Sequence, residues 1–364
     1  MHLLGGVEDP RDVPRKMFRV FGREENKLRA AILNLAARLL NFRHWDGTWR
    51  VSIPLLESGG VTVACSVLYR PFSEMDLDEP YGAPPESAYF ERLIELLEAT
   101  EREIEAAGHV VVRTARDLQI SDRIRFVHCV EGGFHLGATP DEVDANVREL
   151  ARRGVLYITL AHLFWRRVAT NAPALPFLPD LIYNALFPQQ GGLSDLGEAA
   201  VRAMNDTGVI VDISHMREEA IEQTFKLLDD RAPVIASHAG YRFGGQHYNL
   251  TDGTIGQIAA RDGVIGLIFA QHQLNDGLRS RNTRTLAQSL DVLDRHIEAI
   301  GPDHVAIGSD LDGFIKPTVG GVESAADLKR FADALRSRHA ESADRILVGN
   351  ALRVINRRFA SAAP

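Results

Sequence analysis

The chain has 364 residues, 45% of them hydrophobic and 25% charged, with a formal net charge of −8. That balance is globular, with ample material for a core, and it offers no basic surface for a nucleic-acid partner. Its two cysteines, Cys65 and Cys129, lie in apolar runs, so reduced, buried thiols and a cytoplasmic setting are expected and a disulfide framework is excluded.

In chain order, residues 1–50 predict helix and loop. The apolar stretch "LRAAILNLAARLLNF" (28–42) is interrupted by Asn34 and Arg38. It is too short and too polar to span a bilayer and reads as an amphipathic helix. No signal-peptide pattern precedes it.

Seven strand-like runs follow: "VTVACSVLY" (61–69), "RIRFVHCV" (123–130), "VLYITLAH" (155–162), "VIVDIS" (209–214), "PVIASH" (233–238), "VIGLIFA" (264–270) and "HVAIGSD" (304–310). A shorter run, "HVVVR" (109–113), reads as peripheral. Helices with recognisable ends separate them. Thr139 and Pro140 open one with Glu142 as capping-box partner and Gly154 closing it; Ser194 and Gly208 bound the next; 289–301 forms another ending in glycine. The Pro-rich stretch 171–180 predicts a loop over one end of the sheet.

Near-continuous apolar strands alternating with amphipathic helices predict a parallel sheet covered on both faces. Without a composition break, the expectation is one (β/α)8 TIM-type barrel domain over 1–364, with its first strand missing or atypical. A doubly wound sheet would also alternate in this way, but no Gly-rich phosphate loop follows an early strand.

Chemistry in such barrels gathers at the C-terminal ends of the strands. Those ends carry Glu131, His162, His215, His238 and Asp310, and Gln271 with His272 ends another. Any one of these is explained as a solvated rim residue. Five together form a ligand set for zinc or a similar divalent ion. Glu131 suits a bridging carboxylate, and Asp310 is placed to take a proton from water and deliver it to a leaving amine. His109, His128, His135, His247, His304 and His339 fall on helices, loops or strand interiors, where a structural role is expected. His128 alternates to the face opposite Glu131.

With these residues in hand the chain resembles the membrane dipeptidase (renal dipeptidase) family of the amidohydrolase superfamily. The resemblance runs from "SIPLLESGGV" (52–61) to "LVGNALRVI" (347–355) through "EGGF", "YITLAH", "GLSDLGEAAVRAMNDTGVIVDISH", "PVIASHAGY", "NLTD", "HVAIGSDLDG" and "GNALRV". It implies a barrel with a binuclear zinc centre that hydrolyses dipeptides. By the same resemblance Glu131 bridges the metals, His215 and His238 complete the second site, His162 polarises the substrate carbonyl, and Asp310 transfers the proton.

Two places depart from the family pattern. Where the family has an arginine that grips the substrate carboxylate, this chain has Tyr248, with Arg242 nearby; a phenol cannot form a charged bidentate pair. The first-strand His-x-Asp pair is also absent, and "HWD" (His44–Asp46) is its only literal match. The expectation is a metal-dependent hydrolase of a dipeptide or small amide. The alternative is an N-terminally incomplete or non-catalytic homologue that keeps the scaffold and binds a small ligand. Metal identity, and the choice between monomer and homodimer, stay open.

Overall fold

All seven expected strands form, six of them shorter than their apolar runs and the one from 233–238 equal in length but shifted by one residue. They are β1 (Val63–Leu68), β3 (Arg125–Glu131), β4 (Tyr157–Thr159), β5 (Ile210–Asp212), β6 (Val234–Ala239), β7 (Ile265–Leu267) and β8 (Val305–Ile307), and the peripheral run gives β2 (Val110–Val111). The structure, a computed structural model, describes residues 48–74, 81–175, 178–274, 283–313, 315 and 318–361. The expected helix over 28–42 and the His44–Asp46 pair lie outside the described residues.

Every pairing between these strands is parallel. The sheet runs β1-β3-β4-β5-β6-β7-β8, and β2 joins the start of β3 through Val110↔Arg125 and Val111↔Phe126. Among the described residues no strand pairs with the outer edge of β1 or of β8. The register slips within β6, where Ala236 pairs with Ile265 but Ala239 with Leu267.

Alternation along the strands sorts the core into two clusters. On one face of β3, Phe126 and Val130 join a large cluster with the covering helices. On the other, Val127 and Cys129 meet Tyr157, Ile210, Ile235 and Ala306, closed off by Val354, Ile355 and Phe359. Glu131 continues the series 127, 129, 131 at the strand's end. The inner space is tight: a Cβ at Gly266 or Gly308 would lie 2.0 or 1.9 Å from the Ser237 carbonyl oxygen.

The helices are α1 (Ile53–Ser58), α2 (Pro71–Glu74), α3 (Ala88–Ala106), α4 (Pro140–Arg152), α5 (Asp180–Leu186), α6 (Asp195–Thr207), α7 (Glu218–Leu227), α8 (Asp252–Ala260), α9 (Leu286–Ile300), α10 (Leu328–Arg338) and α11 (Asn350–Ser361). The expected N-caps and the closing glycine are present, but the Glu142 carboxylate expected to complete a capping box accepts from Ala138 N at 2.7 Å. Thr139 Oγ1 accepts from Glu142 N at 3.3 Å, Ser194 Oγ from Gly197 N at 3.3 Å, and Gly208 ends α6 in the left-handed region at φ 71°. α9 begins at Leu286 rather than 289, because Thr285 and Gln288 form a capping box.

Where β1 and β8 end the sheet, early and late segments meet. Ala325 N donates to Arg50 O at 2.8 Å, and the buried Arg50 guanidinium donates to Thr318 Oγ1 at 3.0 Å and Glu323 O at 3.2 Å. Gly59 allows this approach, since a Cβ there would lie 2.0 Å from Ala325 O. Among the described residues no helix is long and apolar enough to cross a membrane.

Candidate metal centre

Glu131 is the last residue of β3 and His238 lies within β6, so both are held by strand backbone. His162, His215 and Asp310 sit three residues beyond the last residues of their strands, Thr159, Asp212 and Ile307. Loop geometry therefore aims three of the five expected residues. Two of those three pay for it in backbone conformation: His215 (φ 66°) and Asp310 (φ 50°) occupy the left-handed region that non-glycine residues avoid.

The five side chains converge. Glu131 Oε1 lies 3.5 Å from His238 Nε2, 3.7 Å from His162 Nε2 and 3.9 Å from His215 Nε2. Ligand atoms of Glu131, His215 and His238 all lie within 4.8 Å of one another, and all three residues are buried. The Nε2 atoms of His215 and His238 face each other at 2.8 Å. Two imidazole nitrogens and a carboxylate oxygen directed at one small space are a donor set that fits a divalent cation.

A hydrogen-bond chain orients His238. Ser237 Oγ donates to Asp212 Oδ2 at 2.6 Å, which leaves its lone pairs to accept from His238 Nδ1 at 2.7 Å. The proton then sits on Nδ1 and Nε2 is free as a ligand atom. Asp212 is completely buried and is saturated by Thr159 Oγ1 (2.5 Å), Ser214 N (3.0 Å), Ser214 Oγ (2.8 Å) and Ser237 N (2.8 Å). His215 lacks such a backing: its Nδ1 is buried without a hydrogen-bond partner.

His162 lies between two carboxylates. Its Nδ1 is 2.8 Å from Glu74 Oε2, and its Nε2 faces Glu131. Burial works to lower the imidazole's pKa, but the charges of Glu74 and Glu131 overcome it and lift it to about 9. For Glu74, burial acts to raise the carboxyl's pKa; the His162 charge, with hydrogen bonds from His162, Tyr69 and Phe164 N, holds it below the usual value. Burial pushes Glu131 up. It also drives Asp310 to about 6, against the pull of His238. His215 is held well below the ordinary imidazole value by burial and by its charged neighbours.

Glu131, His162, His215 and Asp310 open on a cavity walled also by Tyr69, Leu163, Tyr248, His272 and Gln273. Ala174, from the loop expected over 171–180, contributes to the wall, and α5 begins where that loop was expected to end. Tyr248 lines the cavity, but its hydroxyl donates to His238 O at 3.1 Å and its ring packs edge-on against His215. Arg242 is turned elsewhere: it donates to Asn249 O (2.7 Å) and His247 O (3.1 Å) and pairs with Glu218. It is not among the residues lining the cavity.

His128 is buried near Glu101, and His135 bonds Gly132 O at 2.9 Å, with burial pushing its pKa to about 4. Neither lines the cavity. Sequence reasoning passed over Glu74, Tyr69, Asp212 and Ser237. Asp212 carried a usable signal, a carboxylate inside an apolar strand. Glu74, in "RPFSEMDLDEP", carried none.

Residues 25–363 match the sequence model of the membrane dipeptidase family, peptidase family M19. Among curated proteins the chain is similar to dipeptidase verJ of Clonostachys rogersoniana, 30% identical over 242 residues covering 65% of this chain and 56% of that protein. It is also similar to an uncharacterized protein of the pqqA 5' region of Klebsiella pneumoniae, 33% identical over 170 residues covering 45% of this chain and 60% of that protein. The chain thus spans somewhat over half the length of these curated relatives. Among solved structures it is similar to a metallo peptidase from Rhodobacter sphaeroides liganded with a phosphinate mimic of L-Ala-D-Ala. The TM-score is 0.68 and the identity 23%, over 92% of this chain and 97% of that one. It is also similar to the dipeptidase AC, a metallo peptidase, with TM-score 0.66 and 22% identity over the same shares. At these identities the structures show a shared fold.

Proposed function

The chain belongs to the membrane dipeptidase family, and from that membership we propose that it is a zinc-dependent hydrolase of dipeptides or small amides. One observation carries the reading: Glu131, His162, His215 and Asp310, from four different strands or the loops after them, line one cavity, and His238 from a fifth reaches Glu131 Oε1 at 3.5 Å. Glu131, His215 and His238 would hold the ion. A divalent cation there supplies Lewis acidity, polarising a carbonyl and lowering the pKa of a water.

The protein's own groups divide the remaining work. His162, held charged by Glu74 and Glu131, presents Nε2–H to the carbonyl oxygen of the scissile amide and stabilises negative charge as it develops. Asp310, with its pKa near 6 in the metal-free chain, is matched to proton transfer near neutral pH: it takes the attacking water's proton and passes it to the leaving nitrogen. None of the described cavity-lining residues is Lys or Arg, and the Tyr248 proton is committed to a backbone carbonyl. This supports, within the class, substrates without a free carboxylate beside Tyr248. The free thiols of Cys65 and Cys129 support a reducing, cytoplasmic setting.

The test is hydrolysis of L-Ala-D-Ala and of its C-terminal amide by the zinc-loaded chain, before and after chelation. Zinc-dependent release of alanine is expected, with kcat/KM for the amide at least equal to that for the free dipeptide. A chain that binds zinc tightly yet cleaves neither would replace this reading with that of a ligand-binding homologue. The described residues form one three-ligand set, so metal analysis should give about one tight ion per chain; two would point to His44 and Asp46.

A further inference from the structure

We propose that Glu74 is a positioning residue for the reaction, fixing the His162 ring so that Nε2 faces the substrate carbonyl oxygen. The proposal rests on the hydrolase reading above. Glu74 ends α2 and is 2% exposed. Its Oε2 accepts from Tyr69 Oη at 2.6 Å and from His162 Nδ1 at 2.8 Å, and its Oε1 accepts from Phe164 N at 2.7 Å. Two of these donors are independent of the imidazole, so the carboxylate is held in place whether or not His162 leans on it.

A fixed ionised acceptor dictates the ring's orientation. Nδ1 must carry the proton it donates to Glu74, and a 180° flip would set a C–H against the carboxylate and forfeit the hydrogen bond. Nε2 is thereby turned toward Glu131 and the cavity, 3.7 Å from Oε1. The Tyr69 ring, edge-on at 4.7 Å, closes one side of the imidazole. This is the arrangement by which a carboxylate makes a histidine a reliable donor or ligand.

A purely mechanical role is the competing account. Tyr69 follows β1, while His162 and Phe164 follow β4, and these strands flank β3, so Glu74 also ties two strand ends together. The two accounts differ in what removing Tyr69's hydroxyl should do. Tyr69→Phe cuts the tie to β1 and leaves the Glu74–His162 contact intact.

The kinetic test uses the zinc-loaded full chain and the amide substrate. Glu74→Gln should lower kcat by roughly 10–100-fold, with KM changed less than about threefold and zinc content unchanged. Tyr69→Phe, which keeps the Glu74–His162 contact, should lower kcat clearly less than Glu74→Gln does. In a His162→Ala background, adding Glu74→Gln should cause no further loss, because partners that act as a unit are non-additive. Additive losses, or equal damage from Tyr69→Phe, would overturn the proposal in favour of a strut. Nitrogen NMR of histidine side chains in the zinc-free chain gives a readout independent of activity. His162 should show a protonated Nδ1 with slowed exchange, and exchange should be fast in Glu74→Ala. An unprotonated Nδ1, or exchange unaffected by Glu74→Ala, would overturn the proposal. If the wild type cleaves nothing, the hydrolase reading fails and this spectrum alone decides where Glu74 acts.

Discussion

Asp212 lies outside the candidate ligand set Glu131, His215 and His238, yet it ties into two of its members. Through Ser237 its charge reaches the far nitrogen of His238, and through Ser214 it ties the loop that carries His215. Ser237→Ala should weaken zinc binding about 10–100-fold in competition with a chelating indicator, with little change in Tm. Unchanged affinity would mean that packing alone sets the ring. The metal-free chain should also respond to pH. His162 is raised to about 9 from an ordinary 6.5, so the folded state holds a proton that the unfolded state has lost. The resulting stabilisation is complete below about pH 6.5 and disappears as pH rises through 9, amounting to a few kcal/mol at most. Urea unfolding at pH 7 and 9.5 reads the loss, and Glu74→Gln should shrink it; stability that rises over this interval would contradict the pairing. At this scale the five convergent residues were legible, because each follows an apolar run whose inner face can be counted. Glu74 was not. Its partner lies 88 residues away, and no local pattern records that contact.

Secondary elements were easier to place than to delimit. The helix caps at Thr139 and Ser194 are local chemistry and match the sequence, whereas the strands β4, β5, β7 and β8 shrink to three residues each. What reads as strand beyond β4, β5 and β7 is buried loop, whereas 308–310 beyond β8 is half-buried. The loop after β8 depends on one glycine. A Cβ at Gly313 would stand 2.2–2.5 Å from the Asp310 carboxylate atoms, so Gly313→Ala must displace that group. The expected result is a kcat reduced by at least about tenfold, with Tm lowered only slightly, because a side-chain end yields where backbone would not. A large fall in Tm with normal kcat per folded molecule would show that Gly313 serves the backbone instead.

Across the whole molecule, the expected parallel architecture is present as a curled sheet, and the family's first strand has no counterpart among the described residues. The segment around Arg50, lying against residues 318–325, carries contacts at that side. Arg50→Gln would leave Glu323 and Thr318 short of a buried donor and should destabilise the chain by about 2–4 kcal/mol by denaturant titration, with zinc affinity unchanged. Near-native stability would mean that water replaces the guanidinium at little cost. The same contact has a consequence in time. Arg50 and Thr318 are 268 positions apart, and a chain made from its N-terminus at about 5–20 residues per second releases the second roughly 13–54 s after the first. Through that interval α1, whose Leu56 is fully buried in the finished protein, lacks the 325–327 turn against which it packs, and the growing chain must be kept from other apolar surfaces until that turn arrives.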